Sequence, residues 1–185
     1  MIGSAERITV FCGIGAREAH DEVVRLAAML KAPVAYTFKA KMEVQYDNPY
    51  EIGMTGLLGL PSAYGAMHES DLLLLLGTDF PYDCFLPSEC RIAQVDIRPE
   101  RIGRRARVEL GLVGDVKETL QALFPMLRER SDRVFLDRQL KIYGALCDDM
   151  AAVASKRGSA GNIAPEYVAT LIDTLASDSA IFTVD

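Results

Sequence analysis

Histidine is nearly absent from this chain of 185 residues: His20 and His68 are the only two. A histidine-rich metal site is therefore not expected. The four cysteines, Cys12, Cys84, Cys90 and Cys147, form no Cys-x-x-Cys pair and no zinc spacing. They read as reduced, partly buried thiols of a cytosolic protein. No Gly-x-x-x-x-Gly-Lys-Ser/Thr run occurs, which removes a P-loop. Gly59-Leu60-Pro61-Ser62-Ala63-Tyr64-Gly65 departs from Gly-x-Ser-x-Gly, so a hydrolase elbow has no support. Neither histidine pairs with an Asp or Cys to suggest a triad. The longest apolar run, Leu72–Leu76, falls far short of the roughly 20 residues a membrane helix requires. No signal-peptide pattern precedes the first strand, and a soluble cytoplasmic chain is expected. Positive charge is not in excess either. The net charge of −6 argues against a nucleic-acid surface. The one basic cluster, Arg98, Arg101, Arg104, Arg105 and Arg107, is interleaved with Glu100 and Glu109. It reads as a solvated loop face in preference to an anion site.

Apolar residues are plentiful: half of the chain is hydrophobic, enough for one core, and the length suits one domain plus a fragment. Strand-like runs are expected at Ile8–Cys12, 33–38, Leu72–Leu76, 92–97 and Leu110–Val113. Helices are expected at 17–30, where Val23, Leu26, Ala27 and Leu30 keep the helical period, and at Pro61–Glu69, opened by its proline. A third is expected from a cap at Asp115 to about residue 130. Strands alternating with crossover helices give an α/β fold with a doubly wound, mostly parallel sheet flanked by helices, Rossmann-like in kind. Residues 39–60 carry no clean period and read as a long loop. Residues 131–162 read as a polar amphipathic helix and a Gly/Ser-rich linker. Pro165 then opens a helix over 167–175, leading to a terminal strand at Ile181-Phe182-Thr183-Val184 that stops at Asp185. The chain is read as a middle domain with the opening of a following one.

Open α/β sheets bind ligands at the carboxyl ends of their strands. The first strand ends in Gly13-Ile14-Gly15, a turn whose backbone N–H groups could meet a phosphate. As a dinucleotide fingerprint it is defective: Glu18 stands at the third glycine position, and Phe38 leads into Lys39 with no acid to hold a ribose. A plain tight turn explains it equally well. Arg17, a cation set in the first helical turn, opposes the helix dipole unless an anion binds there. Gly53-Met54-Thr55-Gly56-Leu57-Leu58-Gly59, Leu76-Gly77-Thr78-Asp79-Phe80-Pro81-Tyr82 and Gln94-Val95-Asp96-Ile97 all follow expected strands. Converging, they would form a cleft for an extended ligand with a phosphate at one end and a ring at the other. Asp96 is a ribose-hydroxyl acceptor or a turn residue ahead of Pro99. Asp115 is first of all a helix cap. No residue is assigned a catalytic role.

These motifs, with Phe11-Cys12-Gly13-Ile14-Gly15-Ala16, Lys31-Ala32-Pro33-Val34, Tyr46-Asp47-Asn48-Pro49-Tyr50, Ile102-Gly103-Arg104-Arg105 and Leu112-Val113-Gly114-Asp115-Val116, keep one order along the chain. Together they resemble the central, FAD-binding domain of bacterial pyruvate dehydrogenase (quinone), or pyruvate oxidase, a thiamine-diphosphate enzyme family. Gly-Thr-Asp-Phe-Pro-Tyr favours that branch over acetolactate synthases. The resemblance implies an FAD-binding domain over 1–130, a helical linker over 131–162, and the start of a thiamine-diphosphate-binding domain over 163–185. It implies that Gly13, Gly15 and Arg17 meet the FAD diphosphate. Thr55, Gly56, Leu57 and Leu58 would line the flavin and ribityl region beside Thr78, Asp79, Phe80, Pro81 and Tyr82. Asp96, Asp115 and Val116 would take the adenosine end.

The family reaction it implies is oxidative decarboxylation of pyruvate to acetate and carbon dioxide, with electrons passing through FAD to a quinone. Thiamine diphosphate and Mg2+ would be bound by the full-length enzyme and not by these residues. The parent would be a homotetramer, peripheral at the inner face of the cell membrane, and the chain alone is expected to be inactive. Two alternatives stand beside it. One is the central domain of an acetolactate synthase or a flavin-free decarboxylase. The other is a stand-alone adenine-nucleotide-binding regulatory module.

Overall fold

The computed structural model describes residues 1–156 and 162–183. The linker read over 156–162 therefore lies mostly outside the described residues, as do Val184 and Asp185. The described chain divides into two compact units, Met1–Tyr143 and Gly144–Asp185.

The first unit is built on six parallel strands: β1 Ile8–Cys12, β2 Val34–Tyr36, β3 Glu51–Met54, β4 Leu72–Leu76, β5 Arg91–Asp96 and β6 Leu110–Val113. Their order in the sheet is β3-β2-β1-β4-β5-β6. The central pair β1 and β4 runs in full register, Ile8 opposite Leu72 through Cys12 opposite Leu76. Every residue of both strands is buried, as a parallel strand covered on both faces requires. This is the doubly wound α/β sheet expected from the alternation of apolar runs.

Side chains alternate between two cores. Val10, Cys12, Leu74 and Leu76 face Val23, Leu26 and Leu30 of α1 (His20–Leu30) and Leu120 of α4 (Val116–Leu123). Phe11, Leu73 and Leu75 face Ala63, Ala66 and Met67 of α3 (Pro61–Glu69). Phe135, Leu140 and Tyr143, from the first half of α5 (Val134–Ala154), close the second core from outside. Each buried leucine contributes roughly 1.5–3 kcal/mol over leaving it exposed.

Four local outcomes differ from the sequence reading. Residues 14–16 form a 3₁₀ turn, and α1 opens only at His20. Arg17 therefore precedes the helix and does not oppose its dipole from within the first turn. Residues 39–60 contain a short helix, α2 (Lys41–Val44), and the edge strand β3. β3 is only four residues long, with a glycine breaking its apolar alternation; Gly53 holds φ 87° and the register with β2 shifts between Val34 and Tyr36. α4 stops at Leu123, where Pro125 enters a 3₁₀ turn over Phe124–Met126. A proline there lacks the N–H for the ladder and crowds the carbonyl four residues back. Residues 181–183 form no strand. A strand needs a hydrogen-bonded neighbour, and none among the described residues pairs with them.

In the second unit, α6 (Pro165–Leu175) buries none of its residues. Val168, Leu171, Ile172 and Leu175 form an exposed apolar stripe at helical spacing.

Candidate functional site

The strand order reverses between β1 and β4. Chain leaving β1 turns toward β2 and chain leaving β4 turns toward β5, so a crevice opens at their carboxyl ends. Glycines set its floor. Gly13 N–H donates to Leu76 O at 2.9 Å and Gly15 N–H to Gly77 O at 2.9 Å. A Cβ on Gly13 would lie 2.4 Å from Gly77 O, so the turn and the end of β4 meet backbone to backbone. Gly77 itself holds φ 61°. The Gly-x-Gly turn thus uses both of its amides to join two loops, and its missing side chains let those loops approach.

Above this floor lies a groove of about 340 Å³, lined among others by Gly15, Arg17, Asp96, Arg98, Asp115 and Val116. Asp96 ends β5 and is 2% exposed. Its Oδ1 accepts Arg98 N–H at 2.9 Å, while its Oδ2 has no partner. Asp115 caps α4, accepting Glu118 N–H at 3.1 Å, and Val116 is buried behind it. Arg17 and Arg98 stand exposed at the rim, with no ion pair among the described residues.

A second chamber, about 490 Å³, opens between the glycine loop after β3 and the 3₁₀ turn Asp83–Phe85. Thr55, Gly56, Leu60, Tyr64, Cys84 and Phe85 line it. Thr55 is 4% exposed, and its Oγ1 also lacks a partner. Phe80 lies beneath, edge-on to Phe11 at 5.2 Å and to Tyr82 at 5.4 Å. Gly56 holds φ 121°, a backbone conformation that suits glycine, and packs over that ring. Leu57 and Leu58 point away into solvent, 72% and 77% exposed. Pro81 and Tyr82 are exposed, Thr78 is buried, and none of the three lines either cavity.

Asp79 lines neither cavity and serves the basic loop instead. Arg104 Nη1 and Arg105 Nε each donate to it at 3.1 Å, and Arg101 Nε lies 3.8 Å away. The basic cluster read as a solvated face is therefore gathered largely on one carboxylate. Gln94, buried in β5, fastens the same region: it donates to Thr78 O and Arg101 O and accepts Gly103 N–H. Sequence reasoning missed Gln94 as a fastener, and missed Tyr64, Cys84 and Phe85 as chamber walls. A lone glutamine in an otherwise apolar buried strand was the available signal for the first.

Thiol chemistry differs by position. Burial pushes the Cys12 thiol far up, and burial with Asp71 nearby pushes Cys90 up to about 11. Cys84 is exposed at the chamber. Among the described residues no group of three or more His, Cys, Asp or Glu could hold a metal, and no helix is long and apolar enough to cross a membrane.

A family model described as the central domain of thiamine pyrophosphate enzymes matches residues 1–123. The chain belongs to this family. The six-stranded parallel sheet flanked by helices agrees with that membership. Among its relatives, the putative thiamine pyrophosphate-containing protein YdaP of Bacillus subtilis (strain 168) is 31% identical over 184 residues, covering 100% of this chain. An acetolactate synthase of Mycobacterium avium is 29% identical over 193 residues and a pyruvate oxidase of Lactiplantibacillus plantarum 25% over 185, each covering 98% of the chain. The chain spans 30 to 32% of the length of these relatives.

Toward FAD, the domain offers the groove of about 340 Å³ and the chamber of about 490 Å³. Among the described residues the two buried side-chain oxygens without a partner are Asp96 Oδ2 and Thr55 Oγ1, one beside each. An orphaned buried acceptor is costly unless a ligand donor satisfies it. The residues fit such a ligand.

Proposed function

We propose that this central domain binds FAD along the switch-point crevice, and that its parent is a pyruvate:quinone oxidoreductase releasing acetate and carbon dioxide. The observation that carries the first part is the pairing of orphaned oxygens with cavities: Asp96 Oδ2 at the groove and Thr55 Oγ1 at the chamber. Asp96 would accept a ribose hydroxyl, and Thr55 with Gly56 would meet the ring system. Arg17, Arg98 and Arg101 would balance the diphosphate by charge, because the Gly13 and Gly15 amides are already engaged. When bound, FAD supplies a redox-active ring; this chain's residues bind it, orient it and keep water from its buried edge. The second part follows the pyruvate oxidase relative and the Thr78–Tyr82 sequence. Pyruvate, a quinone, thiamine diphosphate and Mg2+ belong to the proposed parent, which we place as a tetramer at the inner membrane face.

A second reading makes the parent an acetolactate synthase or another thiamine enzyme, in which the crevice holds FAD without redox use or a plain nucleotide. Asp79 favours it: its carboxylate serves three arginines and is not free to face a flavin. A thermal-shift titration with FAD, ADP and NAD tests the binding reading. Ligand that binds only the native state at about 100 times its Kd adds ~2.7 kcal/mol. A larger shift with FAD than with ADP supports the flavin crevice; equal shifts leave a nucleotide site alone. Reduction of a quinone by the full-length parent with pyruvate, against acetolactate formation, separates the two parents.

A further inference from the structure

The strand that delivers the glycine loop is held at its root by one carboxylate. Glu51, the first residue of β3, accepts Tyr36 Oη–H at 2.6 Å through Oε2 and Tyr143 Oη–H at 2.9 Å through Oε1. Gln45 Nε2 approaches the second oxygen at 3.4 Å. Three elements, β2, β3 and α5, therefore converge on Glu51. Tyr36 is fully buried, and burial together with the neighbouring carboxylate pushes its phenol far up, so it remains a donor.

Two residues on, Gly53 turns to φ 87° with the Tyr143 ring against its α-carbon; a Cβ there would lie 3.1 Å from Tyr143 Cε2 and 2.9 Å from Leu60 Cδ1. The loop that follows is tied back at both ends. Thr55 N–H donates to Tyr36 O at 3.2 Å and Leu60 N–H to Met54 O at 2.8 Å. Thr55, Gly56, Gly59 and Leu60 then form one wall of the chamber. Tyr36 thus touches both the bracket, through its hydroxyl, and the loop, through its carbonyl.

We propose that Glu51 is a positioning residue for the chamber: by bridging Tyr36 and Tyr143 it sets the Gly53 bulge and the Thr55–Leu60 loop, and so determines the preference for a ring-bearing nucleotide over ADP. This rests on reading the chamber as the ring end of the crevice. Glu51 lines neither cavity, so its effect passes entirely through the loop.

Tyr143→Phe removes one hydroxyl and keeps the ring on Gly53; Glu51→Gln keeps one acceptor and serves as the conservative counterpart. Dissociation constants for FAD and for ADP, measured on the whole chain, form the test, with hydrogen exchange of residues 52–61 as a readout independent of ligand. Tyr143→Phe is expected to weaken FAD by about tenfold, the scale of one lost hydrogen bond to a charged acceptor, and to leave ADP unchanged. The Thr55 and Leu60 amides should exchange faster while β1 and β4 do not. Glu51→Gln should fall between the wild type and Tyr143→Phe. Parallel loss of FAD and ADP, or full retention of the FAD preference with unchanged exchange, overturns the proposal. A wild-type chain that binds FAD no better than ADP overturns the chamber reading and this proposal with it. A wild type that does prefer FAD, beside a Tyr143→Phe variant that keeps the whole preference, overturns the positioning role alone.

Discussion

Gly15 and Gly77 pass one another so closely that a Cβ on either would lie 2.5 to 2.7 Å from the other's α-carbon. Real side chains do not occupy such distances, so one of the two backbones must move to admit a methyl group.

Gly77→Ala is therefore expected to destabilise the domain by about 2 kcal/mol or more, from overpacking and from the positive φ. For a chain of this length that lowers Tm by roughly 5 °C or more, readable by calorimetry. Gly65→Ala, in α3 with open space around it, serves as the control and should leave Tm unchanged or raised. A Gly77→Ala variant as stable as the wild type would refute the close approach.

Asp96→Asn separates stability from binding. Asparagine keeps an acceptor for Arg98 N–H and removes a buried charge that has an orphaned oxygen. The ligand-free chain should be as stable as the wild type or firmer, while ADP and FAD affinity fall together by about tenfold. Calorimetric titration with each nucleotide checks this. Thr55→Val, equal in shape, should weaken FAD alone.

Much of this was legible in the residues. The five leucines of β4, the helical period of α1 and the Asp115 cap announced themselves locally, and the alternation of strands with helices announced a parallel, doubly wound sheet though not its strand order. Asp79 and its arginines were not legible. They stand 22 to 26 positions apart, and only the fold of the 99–105 loop brings them together. β3 was hidden for another reason: its apolar alternation is broken by the one glycine that lets Tyr143 approach. Likewise Cys84 reaches the chamber through a 3₁₀ turn with no periodic signature.

Asp79→Asn should loosen the 99–105 loop, leaving three cations without their shared anion. Its side chain is 16% exposed against 28 to 53% for the arginines, so a loss of about 1–2 kcal/mol is expected, shrinking as salt is raised. Chemical denaturation at two ionic strengths measures it. A loss independent of salt would point to packing and not charge.

Stability should decline as pH rises above 9. Cys90, Cys12 and Tyr36 all have raised values in the folded chain, so each favours the fold while protonated. For Cys90 the contribution is whole below 9.0, the unfolded value, and is lost as pH climbs toward about 11. Cys90→Ala should flatten part of that alkaline decline in Tm; an unchanged slope would remove Cys90 from it.

Thiol labelling reports on the chamber. Cys84 should react first with an aromatic disulfide reagent, Cys12 only on unfolding, and bound FAD should slow Cys84 while sparing Cys147. Equal protection of both would argue against ligand in the chamber.

The backbone contact at Gly15 and Gly77 also bears on how this crevice can be redesigned. Where main chains already touch, there is no side-chain volume to exchange, and every substitution adds atoms to a full space. Altering what the crevice holds is then a matter of its shoreline, where Arg17, Ile97 and Arg98 stand in solvent and can be changed without disturbing the sheet beneath.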